Sequence, residues 1–208
     1  MRQKRQRMLA IKIRRLRRAE LPADTTEMAR FLIGKTVVRE LRGARLSGRI
    51  VEAEAYLHGD AAAHSFRGQT LRNATLFMRR GHAYVYFTYG NHFMLNVSGG
   101  REGIGEGVLI RAIEPMEGIE WMERHRGSVP QFDLTRGPGR VAQALRVDKR
   151  LDGVDLCARG ALWLGTEARE AGKIGESVRI GITRETHRIL RFYERGNPHV
   201  SGPKRLNR

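Results

Sequence analysis

The chain has 208 residues and a formal net charge of +17, with 39 Lys+Arg against 22 Asp+Glu, an excess that points to a polyanionic partner, nucleic acid first and an anionic membrane surface second. Its length suits one domain that buries enough surface to fold without staples. A single cysteine, Cys157, excludes an internal disulfide and Cys-rich zinc centres and suggests reducing, intracellular surroundings, while no apolar run reaches the ~18 residues of a membrane span and the basic N-terminus lacks a secretory signal's apolar segment.

Residues 1–20 form a basic N-terminal extension: nine of the first eighteen are Lys or Arg, and the first acid is Glu20. Leu9, Ile13 and Leu16 have helical spacing, so the block reads either as a DNA-backbone arm or as a solvated extension, with Met8 as an alternative start. The remainder, 21–208, is expected to be a single domain. Asp24 and Glu27 have capping-box spacing ahead of Met28, Phe31 and Leu32, and Gly34 suits the stop, which predicts a short helix. Residues 36–41 and 46–56, split by Gly43, read as a strand pair. A long polar surface loop is expected over 57–75. Strands follow at 83–89 and 93–98, broken at Gly90-Asn91, then a glycine-rich turn and a strand at 108–113. Helices are expected near 117–126 and 140–145, and short strands over 161–193. The order implies an α+β fold: a curved, mainly antiparallel, open barrel-like sheet flanked by helices.

Alternation within Arg49–Tyr56 puts Glu52, Glu54 and Tyr56 on one strand face. Strands deplete Glu, so two in succession want a reason. A carboxylate that activates water or holds a metal is one; a solvent-facing edge with an Arg partner is the other, and spacing alone favours the edge. Tyr84 and Tyr86 share a face, with Tyr89 at the following turn. They suit base stacking, although spacing alone favours ordinary packing in a β-rich core. Gly103-Ile104-Gly105 is followed by strand rather than a second helix, and no zinc-deaminase, phosphate-loop or metalloprotease spacing is present.

Several ordered stretches nevertheless match a known pattern: RIVEAEAYLHGDAAAHS at 49–65, TLRNATLFM at 70–78, GHAYVYFTYGNHFMLNVS at 81–98, GVLIRAIEP at 107–115, GPGRVAQAL at 137–145 and LRFYERGNPHVS at 190–201. Together they resemble the alkyladenine (3-methyladenine) DNA glycosylases of the mammalian type, over about residues 20–203. By that resemblance Glu54 is the general base that orients water at the anomeric carbon. Tyr56, His64 and Tyr86 are walls for a flipped base, and Asn96 disfavours a purine 2-amino group. Leu109 shapes the pocket, Arg111 contacts phosphate and water, and Tyr89 fills the gap the base leaves. Arg72 and Arg140 fall in matching blocks and are assigned to DNA binding. Two departures stand out: Leu76 where the pattern has methionine, and the sequence of the 58–62 loop.

The resemblance implies a monofunctional enzyme that extrudes alkylated or deaminated purines from duplex DNA and hydrolyses the N-glycosidic bond, initiating base excision repair. It implies no cofactor or metal, damaged double-stranded DNA as partner, no membrane, no obligatory protein partner, a monomer, and work inside the cell with the DNA. Lys35 is the only lysine between residues 13 and 148, which favours hydrolysis over a lysine-based lyase. Composition alone leaves two other readings open: a magnesium nuclease built on Glu52, Glu54 and Asp60, and a non-catalytic nucleic-acid binding module.

Overall fold

A computed structural model describes residues 12–88 and 90–207. Asp24 caps the first helix, α1 (Thr25–Leu32), accepting from the Glu27 N–H at 2.9 Å. Met28, Ala29 and Leu32 turn one face of α1 into the core with no exposure. Removing side chains such as Met28 and Leu32 from water stabilises the fold by about 1.5–3 kcal/mol each. Gly34 follows with φ +84°, and a Cβ there would sit 2.8 Å from that of Ala171. The turn and the close approach both require glycine.

Nine strands among the described residues form one antiparallel sheet: β1 (Arg14–Arg15), β2 (Thr36–Leu41), β3 (Ala44–Tyr56), β4 (Ala83–Thr88), β5 (His92–Ser98), β6 (Gly107–Glu117), β7 (Leu162–Thr166), β8 (Ile174–Val178) and β9 (Ile189–Glu194). The main path runs β1-β7-β2-β3-β6-β5-β4, so it stays open rather than closing into a barrel. β3 is the spine. Its first half pairs with β2, residues 52–54 pair with β9 on the same side, and β6 runs along the other side. The β3–β6 register slips around Glu52, an irregularity of the kind that re-aims side chains near sites. Two further helices, α2 (Ile119–Arg126) and α3 (Pro138–Ala144), pack against each other, with α3 against β5 and β6. The expected α+β architecture is therefore observed. No described helix is long and apolar enough to cross a membrane.

Two expectations change. Residues 1–11 lie outside the described residues, but the helical spacing of Ile13 and Leu16 is not used as helix: Arg14 and Arg15 pair with β7, and Leu16 is buried against the core. Tertiary pairing overrides the local period there. The 57–75 stretch has no α-helix or strand, yet it is not merely surface. Asp60, Ala63, Ser65, Asn73 and Thr75 are buried within it. Its polar groups find internal partners: the Asn73 amide donates to the carbonyls of His64 and Gly68 at 2.9 and 3.0 Å, and the Ser65 hydroxyl to that of Gly105 at 2.6 Å. Burial of such a loop is tolerable only with this satisfaction.

Candidate active site

Glu52 and Glu54 are out of water: both are 0% exposed, and β3 is paired along both edges. The solvent-facing edge that spacing favoured is thus overturned, because β3 lies inside the sheet. Arg111, directed from β6, spans the two carboxylates. Its Nε donates to Glu52 Oε1 at 2.9 Å and its Nη1 to Glu54 Oε2 at 3.2 Å.

The two carboxylates differ in their other partners. Glu52 also accepts from Arg191 Nε at 2.7 Å and from the Ser201 N–H at 2.7 Å. Burial pushes Glu52 upward, but the charges of Arg111 and Arg191 and the bonds from Ser201 and Arg191 outweigh it and hold the carboxyl below its ordinary range. Glu54 accepts from the Ile180 N–H at 2.7 Å on Oε1 and from the Tyr56 hydroxyl at 3.0 Å on Oε2. For Glu54 burial wins over Arg111 and these two donors, with the Glu52 charge adding to it, and its affinity for a proton rises.

In front of this pair opens a cavity of about 580 Å³, within the range of small-molecule sites. Tyr56, His64, Tyr86, Asn96, Leu109 and Arg111 all line it. Glu54 sits just behind the wall, held by three residues that face the space: Tyr56, Arg111 and Ile180. The His64 ring lies 4.3 Å from that of Tyr86, and its Nδ1 is 2.9 Å from the Tyr84 hydroxyl. Burial, and after it the charge of Arg72, pulls His64 below its ordinary value, so the ring is neutral at neutral pH. Asn96 is anchored by its amide to the Tyr84 carbonyl at 3.3 Å and sits opposite Leu109 in the β5–β6 register. An aromatic-walled pocket with one amide and one imidazole, and with Arg111 held on Glu52 and Glu54, can accept a flat heterocycle, cationic ones included.

The remaining site residues are more scattered. Arg72 is exposed and lines a smaller cleft with Tyr86, Phe87, Phe93 and Lys149, where it donates to the Phe87 carbonyl at 3.2 Å. Arg140, on α3, is paired with Asp133 at 2.8 Å and its side chain is 42% exposed. Tyr89 lies outside the described residues. Leu76, one of the departures, is buried and lines the cavity. Asp60, the other acid of the magnesium reading, is engaged by Arg179 through both carboxylate oxygens. No group of three His, Cys, Asp or Glu among the described residues is placed to hold a metal ion.

Sequence reasoning missed three parts. Segment 180–184 forms a cavity wall and brings the Ile180 N–H to Glu54. Arg191 and Ser201 brace Glu52 from residues more than a hundred positions away. Tyr84 sets His64; the tyrosine clustering signalled it, but not that role.

Comparison with known proteins identifies the family. Residues 19–198 match the methylpurine-DNA glycosylase family. A protein of Mesorhizobium japonicum described as "Putative 3-methyladenine DNA glycosylase" is 60% identical over 189 residues, 91% of each chain. Proteins of the same description are 49% identical over 191 residues in Paraburkholderia phytofirmans (92% of this chain, 90% of the relative) and 46% over 183 in Chlorobaculum parvum (86% and 87%). The matched region and the extent of identity leave one conclusion: this chain belongs to the methylpurine-DNA glycosylase family and is a DNA glycosylase.

Proposed function

We propose that the enzyme accepts a modified purine, turned out of duplex DNA, into the 580 Å³ cavity and hydrolyses its N-glycosidic bond with water activated by Glu54. One observation carries this reading: a buried carboxylate with raised proton affinity stands directly behind an aromatic pocket, steadied by Tyr56, Arg111 and the Ile180 N–H. A base inside a duplex hides its glycosidic bond, so extrusion must come first, at a cost of a few kcal/mol.

Three donors occupy most of the roughly four acceptor positions of the Glu54 carboxylate, leaving room for about one water. Glu54 takes a proton from that water as its oxygen bonds to C1′. The C1′–N bond breaks, its electron pair leaves with the purine, and an abasic sugar remains. An N3- or N7-alkylated purine is cationic before cleavage and leaves neutral. A deaminated purine such as hypoxanthine needs a proton as it departs. Neutral His64 and the faces of Tyr56 and Tyr86 suit the cation. Asn96, opposite Leu109, disfavours a purine 2-amino group, which rejects ordinary guanine, a neutral and poor leaving group, whereas cationic 7-methylguanine leaves readily enough to be excised. Arg111, whose outer nitrogens beyond the Glu54 bond make long contacts of 3.4 Å to the Ile180 carbonyl and 3.5 Å to the Ser201 hydroxyl, contacts the water and the flanking phosphate. Arg72, Arg140 and Tyr89 hold the duplex around the extruded nucleotide. No lysine or metal is assigned a step, and the enzyme works as a monomer wherever the cell keeps its DNA.

The test uses duplexes carrying 7-methylguanine or hypoxanthine, with EDTA present, followed by hot alkali. Alkali-dependent breaks at the lesion are expected, and Glu54→Gln should bind the duplex without releasing base. Direct, EDTA-sensitive scission favours the nuclease reading; salt-sensitive binding without base release favours the binding module.

A further inference from the structure

We propose that Arg179, paired with Asp60, is a positioning residue that joins the two walls of the cavity and sets Tyr56 and the Ile180 N–H against Glu54. The inference rests on the reading of Glu54 as the base and adds the device that holds that base in place.

Both side chains of the pair are fully buried. The Arg179 guanidinium meets the Asp60 carboxylate with both terminal nitrogens, Nη2 lying 3.0 Å from Oδ1. Nη1 also donates to the Ala55 carbonyl at 3.0 Å, in the strand between Glu54 and Tyr56. The same guanidinium lies 4.6 Å from the centre of the Tyr56 ring. Tyr56 lines the cavity and Arg179 does not, so the ring is held from behind.

The pair stands at the root of both walls. Asp60 accepts from the Ala62 N–H at 2.9 Å and opens the run Ala61–His64 that forms one side of the pocket. Arg179 immediately precedes Ile180, whose N–H grips Glu54 at 2.7 Å and whose segment forms another side. Stability alone gives little reason for such a pair, because replacing a buried ion pair by apolar residues is often neutral or favourable. A bidentate guanidinium–carboxylate pair adds orientation. Catalytic geometry needs that orientation, since a displacement of about 1 Å can cost ~100-fold in rate.

The charged and titratable groups around Glu54 are Glu52 and Tyr56 on its own strand, Arg111 on β6, Arg191 opposite it on β9, and Arg179 behind Tyr56. Loosening Arg179 weakens two donors that favour the ionised carboxylate, the Ile180 N–H and the Tyr56 hydroxyl. The acid limb of the rate profile then moves to higher pH.

Arg179→Lys keeps the charge and loses the fork. Its melting curve, its affinity for a duplex carrying 7-methylguanine and its single-turnover excision rate across pH are measured beside the wild type. A cationic lesion needs no proton to leave, so the acid limb reports the base alone. The expected result is a cooperative melt, DNA affinity within about twofold, a rate at least tenfold lower and an acid limb displaced upward. Asp60→Asn, which keeps the Arg179 contacts to Ala55 and Tyr56, carries the same test if Arg179→Lys does not fold. A folded variant with wild-type rate and acid limb overturns the proposal. Failure of both variants to fold also overturns it, by making the pair a structural clamp. Glu54→Gln, run alongside, separates the two readings. Full activity there removes the Glu54 mechanism itself, whereas its loss beside an unchanged Arg179→Lys removes only the role of Arg179.

Discussion

Glu52 and Glu54 stand two residues apart on one strand, equally buried and sharing Arg111, yet they anchor two different regions. Around Glu52 the molecule is closed: two guanidinium groups and the Ser201 N–H satisfy it, and Arg191 reaches on to the Ser201 carbonyl at 3.0 Å and Asn207 Oδ1 at 2.7 Å, tying down the C-terminal segment. Around Glu54 the molecule opens onto a cavity, with one guanidinium at a longer distance and two neutral donors. Burial is therefore not what separates these two carboxylates. The number and closeness of cations is, and it drives the two proton affinities in opposite directions.

The sharpest break of the comparison is Glu54→Gln. Loss of a general base typically costs about 10²–10⁴-fold, so excision measured under single-turnover conditions is expected to fall by that order while DNA affinity holds. Its stability should not fall in step. A folded-state affinity raised above the unfolded value means that ionised Glu54 opposes folding at neutral pH, and glutamine removes that cost. Glu52→Gln is expected to do the reverse. It leaves Arg111 and Arg191 buried with less compensation, at about 3–5 kcal/mol, read from denaturant unfolding.

Acidification separates the regions without mutation. Glu54 takes its proton above the ordinary glutamate range and Glu52 below it. The stability that Glu52 contributes is present above its unfolded value and is lost only as pH falls through its depressed folded value. Excision of a cationic lesion should thus fail at a pH where near-ultraviolet circular dichroism still reports native packing. Coincident loss of rate and fold contradicts the assignment.

Smaller effects belong to the cavity and its rim. Asn96→Ser removes reach opposite Leu109 and is expected to narrow discrimination against guanine by roughly tenfold, measured as competing base release from mixed lesion duplexes. Arg140→Gln should leave kcat intact and lower the salt dependence of DNA binding by about one ion; an unchanged slope means the Asp133 pair keeps Arg140 from the phosphate.

Much of the framework was legible because its signals are local. The Asp24 cap, the Gly34 stop, the split at Gly43 and the alternation around Glu54 each act within a few residues, and each has its counterpart in the fold. The burial of β3 was not legible: alternation looks the same on an edge as in the middle, and only the pairing with β2, β6 and β9 distinguishes them. Nor were the long-range bonds, Ile180 to Glu54 across 126 positions and Arg179 to Asp60 across 119, since separation of that order leaves no periodic trace. The arginine excess was read as DNA-facing charge, but Arg49, Arg111, Arg179 and Arg191 are buried and serve the fold or the site. Selection of Glu54 over Glu52 came from the family pattern. Their contrasting partners give that choice a physical basis.

The most direct measurement sets Glu52→Gln and Glu54→Gln side by side on one 7-methylguanine duplex, recording single-turnover excision and unfolding free energy for each. The account predicts a crossed result: Glu54→Gln is folded, binds DNA and excises about 10²–10⁴-fold more slowly, whereas Glu52→Gln is markedly less stable. A Glu54→Gln enzyme that excises at the wild-type rate would contradict it.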